Sequence, residues 1–326
     1  YIGIMNNSCN LYQLFGVYVI LILSVTDLFP SNSIFLNKPE VHSDRIKIVD
    51  ADGNLFSFKR KLSYTTYDHG FTWIGDSEDN AGYITFAVSG DKVRGSLSTF
   101  KSKFQFHGSL QKQKIISNSK KIKQCGGCKF KEKEISDLRL ISSAQRKHRW
   151  RMSDAGQIDL MVVCPAAVKN AIGVLDDALL EIHNAIAGAN LCFRNSDVQI
   201  QLRLVHVHET DYSPTGNLDI DLDRLTGTDD GFLDEVHGVR DAYGADVVTL
   251  LSTDSNLGGL ANTLSYPSLS FEDSAFNVCV WDQIGAPAFT LAHEIGHNMG
   301  CLHNREDASD ESQSSDSNYG SFAYGK

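Results

Sequence analysis

His293-Glu294-Ile295-Gly296-His297-Asn298-Met299-Gly300-Cys301-Leu302-His303 is the stretch from which the rest of the chain is read. His293 and His297 stand four residues apart, so on a helix their imidazoles project from one face within reach of a single tetrahedral cation. Gly300 can take the left-handed conformation that ends a helix, which turns the chain and brings His303 in as a third ligand. Three neutral imidazoles leave one coordination position open for water, the pattern of a catalytic zinc site rather than a structural one. Glu294 follows the first histidine and is placed to take the proton from that water. The short H-E-x-x-H pattern should arise by chance in about one chain per hundred of this length, the pattern through His303 in about one per 10⁵.

Upstream of this motif, strands alternate with helices. The runs 158–163 (IDLMVV) and 245–251 (ADVVTLL) read as buried strands, and 198–207 (VQIQLRLVHV) as a half-buried one. Residues 166–187 and 231–243 read as helices, 258–266 and 275–281 as further strands. The motif's own helix is predicted to begin near Gly285-Ala286-Pro287, since proline is tolerated in a first turn, and to run to about Gly300. This alternation predicts an α/β domain over 152–326 with a mixed, mostly parallel twisted sheet.

Residues 44–108 differ. Short apolar and β-branched runs (RIKIVDADGNLFSF, GFTWIG, AGYITFAV, VRGSLSTF, KFQFHGSL) are separated by turn signals such as Asp52-Gly53 and Ser89-Gly90, which predicts a small β-rich domain over 34–108. Residues 109–151 lose periodicity and end in Arg146-Lys147-His148-Arg149, where either a solvated linker or a processing protease near Arg149 is expected. At 14–23 (LFGVYVILIL) an apolar run of signal-peptide length implies that 1–33 is a signal peptide or other N-terminal hydrophobic segment; export is expected, with a membrane anchor or a buried first helix as the alternatives.

The formal charge of -10 argues against a general nucleic-acid binder and hides an asymmetry. Residues 1–100 carry -2, residues 101–151 carry +12 and residues 152–326 carry -20, so the basic segment should be drawn over the acidic body. Acidic residues at Asp219, Asp221, Asp223, Asp229 and Asp230 lack the Asp-x-Asp-x-Asp-Gly loop of a calcium site and read as solvated surface, leaving Ca²⁺ without support. His206 and His208 read as a polar strand face and His183 as a helix-packing residue.

With these residues in view, the chain resembles a metzincin zinc endopeptidase, most of all the reprolysin (adamalysin) family, over roughly residues 156–324. The resemblance rests on the zinc motif, the strand 158–163, the stretches Asp223-Arg224-Leu225-Thr226 and Asp234-Glu235-Val236-His237, and the strand opening Ala245-Asp246-Val247-Val248. It implies one catalytic Zn²⁺ on His293, His297 and His303, with Glu294 as general base acting on protein or peptide substrates. It also implies that Gly259, Leu260, Ala261 and Asn262 form a strand edge on which a substrate pairs. Residues 34–108 resemble that family's β-rich propeptide. In related proenzymes a propeptide cysteine beside glycine caps the zinc, a role matched by Cys125 or Cys128 in Cys125-Gly126-Gly127-Cys128; a disulfide or redox pair is the other reading of that C-x-x-C. Two departures stand out: Asn304 follows the third histidine where many relatives have Asp, and the family's Met-turn should lie beyond Phe322-Ala323-Tyr324-Gly325, past Lys326. The competing expectation from another class is a catalytically silent secreted module that binds proteins through the same cleft.

Among the remaining cysteines, Cys164 should lie at the end of the first strand and Cys192 just past the following helix, too far apart to pair. Cys279 and Cys301 flank the motif helix, and a bridge between them is what elimination leaves.

Overall fold

The structure, a computed structural model, describes residues 33–36, 39–49, 53–78, 82–99, 103–110, 114–118, 123, 125, 128–129, 156–253, 255–264 and 269–303. The apolar run at 14–23, the basic cluster at 146–149 and everything after His303, Asn304 included, lie outside them.

Eight antiparallel strands close into a barrel: β1 (Ser33–Leu36), β2 (Arg45–Val49), β3 (Leu55–Thr65), β4 (Phe71–Ser77), β5 (Gly82–Ser89), β6 (Lys92–Thr99), β7 (Lys103–Ser109) and β8 (Lys114–Asn118). Alternation along the strands buries Phe58, Trp73, Phe86 and Phe106 inside, with Trp73 stacked on Phe86 at 5.5 Å. The β unit expected to stop at 108 continues to 118. Without β8 both β1 and β7 would present bare edges, and Lys114–Asn118 pairs with each, removing them. Its lysine-rich surroundings masked it in the sequence.

The second unit is a six-stranded sheet in the order β11-β10-β12-β14-β13-β9. Here β9 is Cys128–Lys129, β10 Gly156–Pro165, β11 Ile200–Thr210, β12 Val247–Ser252, β13 Gly259–Asn262 and β14 Phe276–Val280. Strands β11, β10, β12 and β14 run parallel, β13 is antiparallel to β14, and β9 joins β13 in parallel. The helices are α1 (Ala166–Ile172), α2 (Leu175–Asn195), α3 (Leu218–Thr226), α4 (Glu235–Tyr243) and α5 (Thr290–Asn298). One apolar cluster joins α2 and α5 to the sheet through Ile182, Ile186, Leu291 and Ile295; another joins α3 and α4 to the opposite face through Leu222, Leu225 and Val236. Strands buried on both sides read as nearly continuous apolar runs, which is why 247–251 (VVTLL) is broken only by the buried Thr249.

Several expectations are corrected. The helix expected over 166–187 divides at Gly173, whose φ of 135° breaks the helical path, and α2 then runs to Asn195. Cys192 therefore lies within α2 instead of beyond it. Asp221 is not solvated: it is fully buried, accepting from the Tyr212 hydroxyl at 2.6 Å and from the Thr215 hydroxyl at 2.9 Å, which anchors the loop before α3. Cys279 and Cys301 keep free thiols. Strand β14 buries the first in the core, where its sulfur donates to Asn277 Oδ1 at 3.6 Å, while the bend after α5 exposes the second. His206 stacks on Tyr243 at 3.8 Å, and His208 Nε2 lies 3.5 Å from Glu235 Oε1.

α2 is buried nearly all round, because the sheet covers one face and the barrel the other. Ala187 and Leu191 pack on Ile74 of β4, with Leu62 and Tyr83 beside them.

Candidate metal centre

α5 starts at Thr290, three residues later than expected. Pro287 belongs to the preceding loop through a cis Ala286-Pro287 peptide, and the first helical N–H groups are satisfied by that loop: Thr290 donates to Gln283 O at 3.1 Å and Leu291 to Ile284 O at 3.3 Å. At the other end Gly300 takes φ +92°, Gly300 N donates to His297 O, and Cys301 N donates to Gly296 O, both at 2.9 Å. This paired 5→2 and 6→1 closure is a Schellman cap. It reverses the chain within a turn and returns His303 to the face that carries His293 and His297.

The three Nε2 atoms form a nearly equilateral triangle: His293 to His297 is 3.1 Å, and His303 lies 3.2 Å from each. Zinc–nitrogen bonds of 2.0–2.1 Å in a tetrahedron set ligand nitrogens about 3.3–3.4 Å apart. His297 Nδ1 lies 2.7 Å from Cys301 O. A carbonyl can only accept, so Nδ1 carries the proton and Nε2 presents its lone pair. Burial, then the neighbouring His293, lower the His297 pKa to about 4, and burial lowers that of His293, so both rings are held neutral, the form that binds metal.

The fourth corner belongs to Cys125. Its sulfur lies 3.7 Å from His297 Nε2, and the four donor atoms of Cys125, His293, His297 and His303 all lie within 4.8 Å of one another. With a zinc–sulfur bond near 2.3 Å, a tetrahedral nitrogen-to-sulfur edge is about 3.6 Å. The donor set thus fits zinc on geometry and on chemistry. Of the two cysteines the sequence leaves open, Cys125 joins the cluster, while Cys128 lies in β9.

Glu294 is fully buried behind the histidines, and among the described residues no donor reaches either carboxylate oxygen at hydrogen-bond distance. Burial raises its pKa to about 8, opposed by the Cys125 thiol nearby. A β-carbon on Gly259 would stand 2.6 Å from Glu294 Oε1 and 2.6 Å from Thr290 Cγ2. The absence of a side chain at Gly259 therefore makes room for the carboxylate.

The predicted substrate strand Gly259, Leu260, Ala261 and Asn262 is β13, adjoining α5. It is not a bare edge in this chain: Ala261 and Asn262 pair with Cys128 and Lys129 of β9, and Lys123 N donates to Gln283 Oε1 at 3.1 Å. Cys125 thus stands beside the histidines while Cys128 and Lys129 occupy the edge of β13. Sequence reading missed Asn298, directly after His297. Its buried amide donates to Asn262 O at 2.7 Å and Phe276 O at 3.0 Å, and its Oδ1 accepts from Asn277 at 2.8 Å, clamping α5 to β13 and β14. The only sequence signal was a polar residue on the inward side of an amphipathic helix.

Three comparisons place the chain among known proteins. The model of metallo-peptidase family M12 matches residues 154–325. The peptidyl-Asp metalloendopeptidase of Stenotrophomonas maltophilia is 33% identical over 168 residues, covering 52% of this chain and 37% of that protein. Its namesake from Xanthomonas campestris pv. campestris is 34% identical over 168 residues, with 52% and 37% coverage. The chain thus spans little more than a third of the length of these curated relatives. Among solved structures, metalloproteinase-II from Bacteroides fragilis is 13% identical with a TM-score of 0.45, covering 77% of this chain and 78% of that one. A family model that covers more than half of the sequence and coincides with the domain bearing the histidine triangle settles the affiliation: the chain belongs to metallopeptidase family M12.

Proposed function

We propose that this chain is the latent form of a zinc endopeptidase, with residues 34–151 acting as a propeptide that inhibits its own catalytic domain. The observation that carries the reading is the convergence of Cys125 with His293, His297 and His303 in front of a buried, unpaired Glu294. Zinc held by the three imidazoles supplies a Lewis acid that polarises the scissile carbonyl and acidifies water. Glu294 accepts a proton from the attacking water and returns it to the departing amine as the C–N bond breaks. Cys125 fills the corner that water needs, which keeps the uncut chain silent. β13 serves as the template on which a peptide pairs once β9 has left.

Processing near Arg149 and export through the 1–33 segment complete the reading; both rest on sequence pattern. Peptides containing Asp, the residue in the relatives' names, belong among the first substrates tried.

The deciding measurement is zinc content together with peptide hydrolysis after processing, with Glu294→Ala as control. One zinc per chain and Glu294-dependent cleavage are expected. Bound zinc with cleavage absent or independent of Glu294 favours the silent binding module.

A further inference from the structure

Gln283, in the loop between β14 and α5, is buried, with 3% of its surface exposed. Its backbone is already committed: the N–H donates to Val280 O at 2.9 Å, and the carbonyl accepts from Thr290 N at the head of α5. The side chain is therefore not what caps the helix. Its amide is fixed in orientation, because Nε2 donates to Asp282 Oδ1 at 3.2 Å and Oε1 accepts from the backbone N–H of Lys123 at 3.1 Å. A backbone N–H can only donate, so the atom that meets it is the oxygen.

The contacts made by residues 123–129 fall in chain order. Lys123 reaches Gln283, Cys125 reaches the imidazoles, and Cys128 and Lys129 pair with Ala261 and Asn262 of β13. Gln283 and β13 thus hold this stretch on either side of the donor cluster, and both hold it by its backbone. Neither contact reads a side chain of the guest, so another extended peptide can take the same place. A peptide that pairs with β13 and lays its scissile carbonyl where the Cys125 sulfur stands carries its further residues past Gln283. There a covered acceptor needs a donor, and a guest residue without a backbone N–H leaves that oxygen unpaired.

We propose that Gln283 is a substrate-binding residue of the peptidase. Once Lys123 has left, its Oε1 accepts a hydrogen bond from a substrate backbone N–H, across the scissile bond from the residues paired with β13, and so selects against proline at that position. Asp282 is the positioning residue that keeps the oxygen turned toward the guest chain. This rests on the latent-peptidase reading for the reaction, though not for the recognition of a peptide backbone.

The test uses the full chain after processing and a peptide cut at one bond, in which each backbone N–H except that of the scissile bond is replaced in turn by N-methyl, and each residue then by proline. With native Gln283, one position should lose about 10- to 100-fold in kcat/KM, the effect of a buried acceptor left without its donor. Gln283→Met, similar in length and without the acceptor, should shrink the penalty at that position to less than about 3-fold and leave zinc content and the other penalties as they are. The penalties that survive, owed to β13, should lie on the other side of the scissile bond. The same pattern is expected without turnover, in the binding of fluorescent peptides to the processed Glu294→Gln chain. In the uncut chain Gln283→Met should speed amide exchange at Lys123, and circular dichroism shows whether the variant is folded. A native chain with no penalised position across the bond from β13, or a penalty that folded Gln283→Met leaves unchanged, would overturn the proposal while hydrolysis keeps the peptidase reading intact. Gln283-dependent peptide binding in a processed chain that has native Glu294 and cleaves nothing would sink the peptidase reading and leave the backbone contact standing.

Discussion

Gly259 and Glu294 share one space: a β-carbon on the first would lie 2.6 Å from a carboxylate oxygen of the second. The general base proposed for the reaction is thus set in place partly by an atom that the neighbouring strand lacks.

Gly259→Ala should therefore displace Glu294 without touching the histidines. Hydrolysis by the processed enzyme is expected to fall about 100-fold, the scale on which a misplaced catalytic group costs rate, while zinc content stays at the native level. Metal analysis alongside kcat separates this from a loss of the site.

Cys125 and Cys128 should behave differently. Cys125→Ser in the uncut chain should raise basal hydrolysis at least about 10-fold, because the tethered thiol competes with water at a high effective concentration. Cys128→Ser should leave latency intact, since Cys125 supplies the sulfur of the donor cluster and Cys128 takes part in the β9 pairing with Ala261. Equal effects of the two substitutions would contradict the assignment.

Asn298 joins α5 to both strands beneath it. Asn298→Ala removes the donor that its amide gives to the carbonyls of Asn262 and Phe276 and the acceptor for Asn277, at a cost of about 2–4 kcal/mol. Asn298→Asp should be worse, placing a carboxylate against two carbonyl oxygens. Denaturant unfolding measures the stability loss, and faster amide exchange over residues 259–264 should accompany it.

Acid should loosen the contact between barrel and α2. Asp68 is held well below the usual carboxylate range, chiefly by the His183 ring, whose Nε2 lies 3.4 Å from Asp68 Oδ1, with Thr66 assisting and burial opposing. Its folded pKa is lowered, so the stabilisation is present above the unfolded value of about 3.9 and is lost as pH falls below it toward the folded value. Asp68→Asn should flatten the acid limb of the stability profile below about pH 4 and leave the neutral region's slope unchanged.

Much of the fold was legible because its signals are local. The runs at 160–163 and 247–251 are strands because their largely apolar side chains are buried on both faces, and Gly300 ends α5 because its backbone alone accommodates φ +92° cheaply. Features that depend on a distant partner were not legible. β8 is a strand because β1 and β7 need a neighbour. The proposed start of α5 at Pro287 failed because the loop at 283–284 caps the helix from outside it. The pairing of Cys279 with Cys301 failed because β14 faces one sulfur inward and the bend turns the other out.

The primary sequence by itself determined which residue types stand at which spacing: three imidazoles, a carboxylate and a turning glycine within one helix and bend, since helical pitch and backbone sterics act over a few residues. Only the tertiary structure decided that Cys125 meets those imidazoles, that β9 covers β13, and that Glu181 and Asn184 are buried beneath a barrel. Those outcomes depend on groups about 90 or more residues apart being packed together, and no short-range preference encodes which distant surface a side chain will meet.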